Sequence, residues 1–310
     1  MPTSRQHDGA TPRVAVLLAT HNGRRWLPEQ LESILAQQGV EVRVLAMDDG
    51  STDGTVEWLA ETAAAEPRVT VLQGEGRGGS AAGNFYRLIR TAEIADDELV
   101  ALADQDDLWM PGKLHRHAAM IASRNLDGVS SNVTSFTPAG KRTLILKSFP
   151  QCEFDYLLES PGPGSTFLMT PRLIALAKQQ LAGVAAQADY HDWLLYALAR
   201  ASGWGWYIDD ESTVDYRQHD DNAMGANVGT RSAVSRLKLI RERWHRGQAI
   251  LLARVSREVA PAAIRPGLDE MLVLLEGPGT RLALARRAGQ LRRRPRDQRI
   301  IGALIALGIW

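Results

Sequence analysis

Three aspartates stand within four residues in LADQDDLW (residues 102–109): Asp104, Asp106 and Asp107, directly after the apolar run ELVALA. Carboxylates held this close repel one another, and two at i and i+2 in a loop are suited to sharing a hard divalent cation. A cation with open coordination positions takes phosphate oxygens, so the chemistry indicated is charge stabilisation on a phosphorylated ligand. The alternative is structural, with Asp107 or a neighbour capping the helix that begins near Pro111. A second acidic stretch, DDGSTDGT (48–55), holds Asp48 and Asp49 and reads as a strand-to-helix turn with Asp53 as N-cap. A calcium loop is disfavoured there, because its twelfth position is Ala60 and a strand, not a helix, enters it.

Three further clusters have residue types that do chemistry. YHDWLL (190–195) sets Asp192 beside His191 at a helix start, either as a cap or as a general base taking a proton from a hydroxyl. YRQHD (216–220) offers Arg217 and His219 after a short strand, as surface residues or as contacts to a diphosphate and a metal. GEGRGGSAAG (74–83) precedes a helix whose first amides can receive phosphate, with Arg77 and Gly79 inside it and Asn84 next in line. A glycine-rich loop alone is weak evidence. No Walker sequence is present, and GxGxxG spacing is missing after the first strand, which argues against ATP and nicotinamide chemistry.

The elements that must position these groups follow from periodicity. RVAVLLAT (13–20) is a strand buried on both faces, ending at THNG. After it, WLPEQLESILAQQ reads as helix, EVRVLAM as strand, TVEWLAETAAAE as helix, RVTVLQ as strand, SAAGNFYRLIRTAEIA as helix and ELVALA as strand. This alternation means βαβ units and a parallel sheet. THNG, DDGSTDGT and DQDD all fall at the carboxyl ends of its strands, where open α/β sheets bind ligands. The second half is mixed: a helix in GKLHRHAAMIASRN, strands in GVSSNVTSF and RTLILKSF around the turn TPAGK, a strand-like STFLMT, two helices, and a last short strand in GWGWYID. Trp193, Trp204 and Trp206 read as core or as platforms for a sugar.

Formal charge is zero over 310 residues, but residues 231–310 hold 17 Lys/Arg against 6 Asp/Glu. Two regions with different partners are implied. The last apolar stretch, IIGALIALGIW (300–310), is about half of the roughly 20 residues a spanning helix needs. One cysteine and no charged-then-apolar leader point to a cytoplasmic protein. The arginine-rich end suits docking on an anionic membrane surface, or else packing as a helical subdomain or homo-oligomer contact. It lacks a recognised nucleic-acid-binding module.

The ordered set ATHNGRRWLPEQLESILAQ, DDGSTDGT, DQDDLW, HDWLL and YRQHDDNAMG resembles the family 2 glycosyltransferases of the GT-A fold, most closely their bacterial rhamnosyltransferase branch. The resemblance covers residues 13–228. It implies an α/β GT-A domain over 13–230, with a nucleotide-binding half (13–110) and an acceptor half (111–230), between a loose tail (1–12) and a basic helical extension (231–310). It also implies that Thr20, His21 and Asn22 line the nucleotide pocket, that Asp49, with Asp48 beside it, meets the base, and that Asp104 lies near the ribose. Asp106 becomes the principal metal ligand, His219 a group near metal and diphosphate, and Asp192 the catalytic base. Where the family more often has Glu-Asp, this chain has His191 and Asp192, a departure matching the rhamnosyl branch.

The reaction implied is inverting transfer from dTDP-L-rhamnose or a similar nucleotide sugar onto a glycan or lipid-linked acceptor, with Mg²⁺ or Mn²⁺. His219 tilts that choice toward manganese. Two rivals remain at this level: a non-catalytic sugar-nucleotide or glycan-binding subunit, and a metal-dependent phosphohydrolase.

Overall fold

The computed structural model describes residues 11–74, 76–219 and 244–310. Residues 1–10 of the expected tail, residues 220–225 of YRQHDDNAMG and residues 231–243 of the basic region lie outside these.

Four strands, β1 (Arg13–Thr20), β2 (Glu41–Asp48), β3 (Val69–Val71) and β4 (Glu98–Ala103), form a parallel sheet in the order β3-β2-β1-β4. Helices α1 (Leu27–Leu35), α2 (Thr55–Ala65) and α3 (Ala81–Thr91) connect them. Strand parity divides the core. Val14, Val16, Leu18, Val44 and Ala46 pack on one face with Leu27, Ile34 and Leu59. Leu17, Leu45, Met47 and Leu102 pack on the other with Phe85 and Leu88 of α3. With both faces covered, the strands are continuously apolar, and the polar residues are left to their carboxyl ends.

The sheet continues into the mixed half. After β5 (Leu108–Trp109) and α4 (Lys113–Arg124) come β6 (Gly128–Phe136), β7 (Arg142–Ile145), β8 (Leu168–Met169), α5 (Pro171–Gln180), α6 (His191–Ala201) and β9 (Trp206–Arg217). Strand β8 lies antiparallel between β4 and β6, and β9 runs parallel to β6 with β5 at the edge. The two halves therefore share one nine-stranded sheet.

Several local expectations change. The last strand is not short: β9 spans twelve residues and brings Arg217 to its end. Strand β5 has two residues, too few to leave a period in the sequence, and forms because Leu108 and Trp109 pair with Asp215 and Val214. Asp53 is not the N-cap of α2. Gly54 takes that place at φ 88°, and Asp53 instead accepts the Thr55 amide and hydroxyl and the Arg24 amide. Trp193 and Trp206 are core at 6% and 5% exposure, and Trp204 lies under the Arg172 guanidinium, so none of the three is a free platform.

The C-terminal helices, Trp244–Val259, Arg265–Glu276, Arg281–Arg286, Ala288–Leu291 and Pro295–Ala306, pack on the α6 side of the sheet. Of the readings for the basic region, packing is realised: Leu252, Leu268, Leu275, Leu291 and Ile305 join the core that contains α6. No helix among the described residues is long and apolar enough to cross a membrane.

Candidate active site

At the carboxyl ends of β1 and β2 the acidic turn is organised by its own backbone. Asp48 accepts the amides of Gly50 and Ser51 at 2.8 and 2.7 Å through one oxygen, and the Ser51 and Thr20 hydroxyls at 2.5 and 2.8 Å through the other. Thr20 is buried and supports Asp48. The Asp49 carboxylate receives the amides of Gly78 and Gly79 and Nη1 of Arg87 (3.1 Å). The Asn84 amide, 2% exposed, donates to the Thr20 and Met47 carbonyls and ties the two strand ends together. Arg77 donates to the Gly50 carbonyl at 2.7 Å.

The glycines of this loop are there for contact distance. A Cβ on Gly83 would meet the Gly78 carbonyl oxygen at 2.2 Å, so the loop can lie directly on the start of α3, which Ser80 caps by accepting the Gly83 amide. The Gly78 and Gly79 amides thus converge on Asp49 instead of standing open for phosphate. His21 and Asn22 are exposed above the turn; Nδ1 of His21 lies 3.2 Å from the Asp49 carbonyl oxygen.

The DQDD segment is not a helix cap. Helix α4 begins after Gly112 with no side-chain cap, and the three aspartates have separate surroundings. Gln105 joins the segment to the nucleotide end by accepting the His21 amide (2.7 Å) and donating to its carbonyl (2.8 Å). Asp104 is raised to about 7, chiefly by burial, then by Asp106 and Asp192, with Lys113 opposing. Asp107 is fully buried, accepts the Arg217 amide at 3.3 Å, and is also pushed up by burial and by its neighbours Asp106 and Asp104. Asp106 faces His219, with Oδ2 and Nε2 2.7 Å apart, while Nε of Arg217 donates to the Asp106 carbonyl at 2.9 Å. Uptake of protons and dispersal of partners lower the mutual repulsion of these carboxylates.

Four residues of the site went unsingled in the sequence. Trp26 stacks on the His219 ring (centroids 5.4 Å apart, 20° between planes) and carries the Arg217 guanidinium at 4.5 Å. Glu29 accepts Nη2 of Arg217 at 2.6 Å. Arg87 holds Asp49. Lys113, 1% exposed, donates to the Ser165 carbonyl and lies 3.2 Å over the Trp109 ring. Burial holds its pKa well below the ordinary lysine value against the pull of Asp107 and Asp104. For Trp26 and Glu29 the signal was a tryptophan and a glutamate three and six residues after THNG. For Lys113 it was a charge at the first position of a helix buried on the DQDD side.

Asp192 stands in the first turn of α6, beyond the N-cap position held by Tyr190. Oδ1 accepts the Trp193 amide at 2.8 Å and Oδ2 accepts the Ser160 hydroxyl at 2.9 Å. Burial raises its pKa, and those bonds and the nearby Lys147 oppose the rise. Its charge contributes to the raised pKa of Asp104, and the loop residues between them link the two sides: a Cβ on Gly164 would lie 2.4 Å from Nε2 of His191, and the Ser165 carbonyl accepts Lys113. His191 beside it is buried against Phe85, ring centroids 4.0 Å apart, and burial drops it to about 3, so it stays neutral.

Among the described residues no group of three or more His, Cys, Asp or Glu side chains is arranged around a metal position. Asp106 and His219 supply two donors, an oxygen and an imidazole nitrogen. Such a pair fits an ion that completes its shell with phosphate oxygens and water.

A parallel sheet in the order β3-β2-β1-β4, continued through an antiparallel strand and bearing DQDD at the carboxyl end of β4, defines a GT-A fold. The fold is that of TarS (residues 1–349) of S. aureus in complex with UDP-GlcNAc (TM-score 0.58, 17% identity, 96% of this chain and 81% of that one). It is also that of the mannosyltransferase PcManGT of Pyrobaculum calidifontis in complex with GDP-Man and Mn²⁺ (TM-score 0.52, 17% identity, 97% and 82%). The profile of Glycosyl transferase family 2 matches residues 15–167. Over 240 residues the chain is 35% identical to the dTDP-rhamnosyl transferase RfbG of Shigella flexneri, covering 76% of this chain and 83% of that protein. The chain belongs to glycosyl transferase family 2 and is a glycosyltransferase.

Proposed function

We propose that the protein is an inverting, metal-dependent rhamnosyltransferase that moves L-rhamnose from dTDP-L-rhamnose onto a glycan or lipid-linked acceptor in polysaccharide synthesis. The observation that carries this reading is the buried Asp192 carboxylate at the start of α6, held by Ser160 and the Trp193 amide, in a chain 35% identical to a dTDP-rhamnosyl transferase over most of both lengths. His21, Asn22 and the Asp49 turn bind the nucleoside, with Asp49 released from Gly78 and Gly79 to meet the base. Arg217 faces the diphosphate. Asp106 and His219 would hold a divalent cation, which supplies positive charge to the departing diphosphate.

Asp192 accepts the proton of the acceptor hydroxyl as its oxygen bonds to the anomeric carbon. The bond from that carbon to the phosphate oxygen breaks on the opposite face, and dTDP leaves. Configuration inverts because attack and departure take place on opposite faces. Ser160 and the Trp193 amide hold the carboxylate in line while burial raises its basicity.

The apolar and basic surface at the C-terminus is read as a membrane-docking face: Leu282, Ile300, Leu307 and Ile309 are exposed among Arg281, Arg294, Arg296 and Arg299. Such a face would hold the enzyme near a lipid-linked acceptor.

The test is a thermal-shift screen with dTDP, UDP, GDP and CDP, each with Mn²⁺, Mg²⁺ or EDTA. A ligand bound only by the folded state raises the midpoint by mass action. The expected result is a metal-dependent shift, largest with dTDP; no shift with any nucleotide sinks the reading. Transfer to an acceptor then separates it from a binding subunit, which would bind dTDP without turnover.

A further inference from the structure

Arg293 is 4% exposed, although it belongs to a run of three arginines in the most basic part of the chain. It sits in the connection between the helices Ala288–Leu291 and Pro295–Ala306, far outside the 15–167 stretch matched by the family profile. Its guanidinium enters the loop before β8. Nη1 donates to Asp155 at 3.0 Å, Nη2 donates to the Ser160 carbonyl at 2.6 Å and stands 3.4 Å from Glu159, and its backbone amide donates to Glu159. Asp155 is tied in turn to α6, accepting the Tyr196 hydroxyl at 2.8 Å and Nη1 of Arg200 at 3.1 Å. Tyr196 and Arg200 lie four and eight residues after Asp192, on the same side of that helix.

Both ends of the loop segment 155–160 are thereby fixed. One end is pinned to α6 through Asp155, and the other is held by Arg293 at the Ser160 carbonyl. Ser160 is also the residue whose hydroxyl reaches Asp192. That hydroxyl has one proton and two acceptors, Oδ2 of Asp192 at 2.9 Å and the Gly162 carbonyl at 2.5 Å. Which of them it serves depends on how the Ser160 backbone is held, and Arg293 holds it.

We infer that Arg293 is a positioning residue for the base, acting through Ser160 to aim the Asp192 carboxylate, and that the C-terminal helical region is for this reason part of the active site. The inference rests on the assignment of Asp192 as base. A buried guanidinium with three carboxylate or carbonyl partners also stabilises the fold, so the test needs a readout that packing alone would not move.

The experiment compares Arg293→Gln, Arg293→Lys, Ser160→Ala and the Arg293→Gln/Ser160→Ala double variant. Release of dTDP from dTDP-L-rhamnose, with water as the acceptor, gives kcat and KM; the dTDP-induced thermal shift gives donor binding. Arg293→Gln is expected to lower kcat by roughly tenfold to a hundredfold, the scale of a misaimed catalytic group, with KM and the dTDP shift kept. Arg293→Lys should recover part of the loss. In the double variant the Arg293 effect should largely vanish, because residues acting through one contact are not additive.

Unchanged kcat in folded Arg293→Gln, or losses that multiply in the double variant, overturn the inference. If Arg293→Gln does not fold, Ser160→Ala decides, and wild-type kcat there overturns it. If the wild-type protein keeps the dTDP shift but releases no dTDP, the reading of Asp192 as a working base falls, and the inference with it; if the shift itself is missing, the donor reading falls separately. Where Arg293→Gln folds, its crystal structure settles the positioning role: a Ser160 hydroxyl moved off Asp192 supports it, and one left in place overturns it.

Discussion

Nε2 of His219 lies 2.7 Å from Oδ2 of Asp106, although the two residues are 113 positions apart, and the face of the same imidazole rests on Trp26. Trp26 also carries Arg217, so one indole backs both groups proposed to face the diphosphate. Trp26→Ala removes a stacking surface and a cation–π contact worth about 0.5–1 kcal/mol. The expected outcome is Mn²⁺ affinity weakened several-fold in the presence of dTDP, measured by titrating the thermal midpoint. Wild-type affinity would show that the indole is only packing.

Asp192→Asn keeps the Trp193 amide bond and removes the proton acceptor. Transfer should fall by about 10²–10⁴-fold, the usual worth of a general base, while dTDP still raises the midpoint. In the wild-type enzyme the sign with pH follows from burial. A raised carboxyl pKa means that protonation begins above the ordinary aspartate range, so kcat should fall as pH drops through that raised value. A rate that is flat down to pH 4, or an active Asp192→Asn protein, would remove Asp192 from the role of base.

His117 gives a stability prediction independent of catalysis. It is fully buried, 3.8 Å from Asp209, and neither ring nitrogen has a hydrogen-bond partner among the described residues. Burial lowers it to about 3 from 6.5, so the unfolded state binds a proton that the folded state refuses. The stability associated with the neutral ring is full above 6.5 and is lost as pH falls toward 3, at about 1.4 kcal/mol per pH unit. His117→Leu should flatten this part of the profile. Urea melts of both proteins at pH 7.5, 6 and 5 measure the difference, and parallel profiles would contradict the neutral assignment.

The test of membrane docking leaves Arg293 undisturbed. Deleting 281–310 would remove Arg293, so that variant confounds docking with folding. Leu307→Glu with Ile309→Glu changes side chains 68% and 46% exposed. Sedimentation with anionic phosphatidylglycerol vesicles should drop in this variant and activity in detergent-free buffer should hold. Binding by neither protein would leave packing as the role of the region.

The parallel half of the fold was legible because its strands are buried on both faces and each ends in a polar cluster; β1, β2 and β4 follow their apolar runs to within a residue. What pattern does not carry is pairing between distant segments. Strand β5 exists only through β9, and β9 runs on through DDEST, past the short strand expected in GWGWYID, because Ser212 and Asp215 are paired with Asn132 and Thr134. In the site, the aspartates announced themselves by their cost. Arg87 did not, because an arginine on an amphipathic helix looks like any other, and the signals at Trp26 and Lys113 gain meaning only once His219 and the DQDD segment are brought beside them. Arg293 was hidden best, in a run that reads as solvated charge until a carboxylate 138 residues earlier is brought beside it.

Strand β8 is two residues long and is the hydrogen-bonded bridge between β4 and β6. The stretch matched by the family profile stops at Phe167, one residue before it. A recombinant fragment cut at that boundary would keep every aspartate of the nucleotide end and DQDD, yet expose an unpaired edge along β4. Such edges recruit other chains, so the fragment should be recovered as aggregate. For anyone building chimaeras between relatives, the smallest exchangeable unit is set by this seam and not by the limits of sequence similarity.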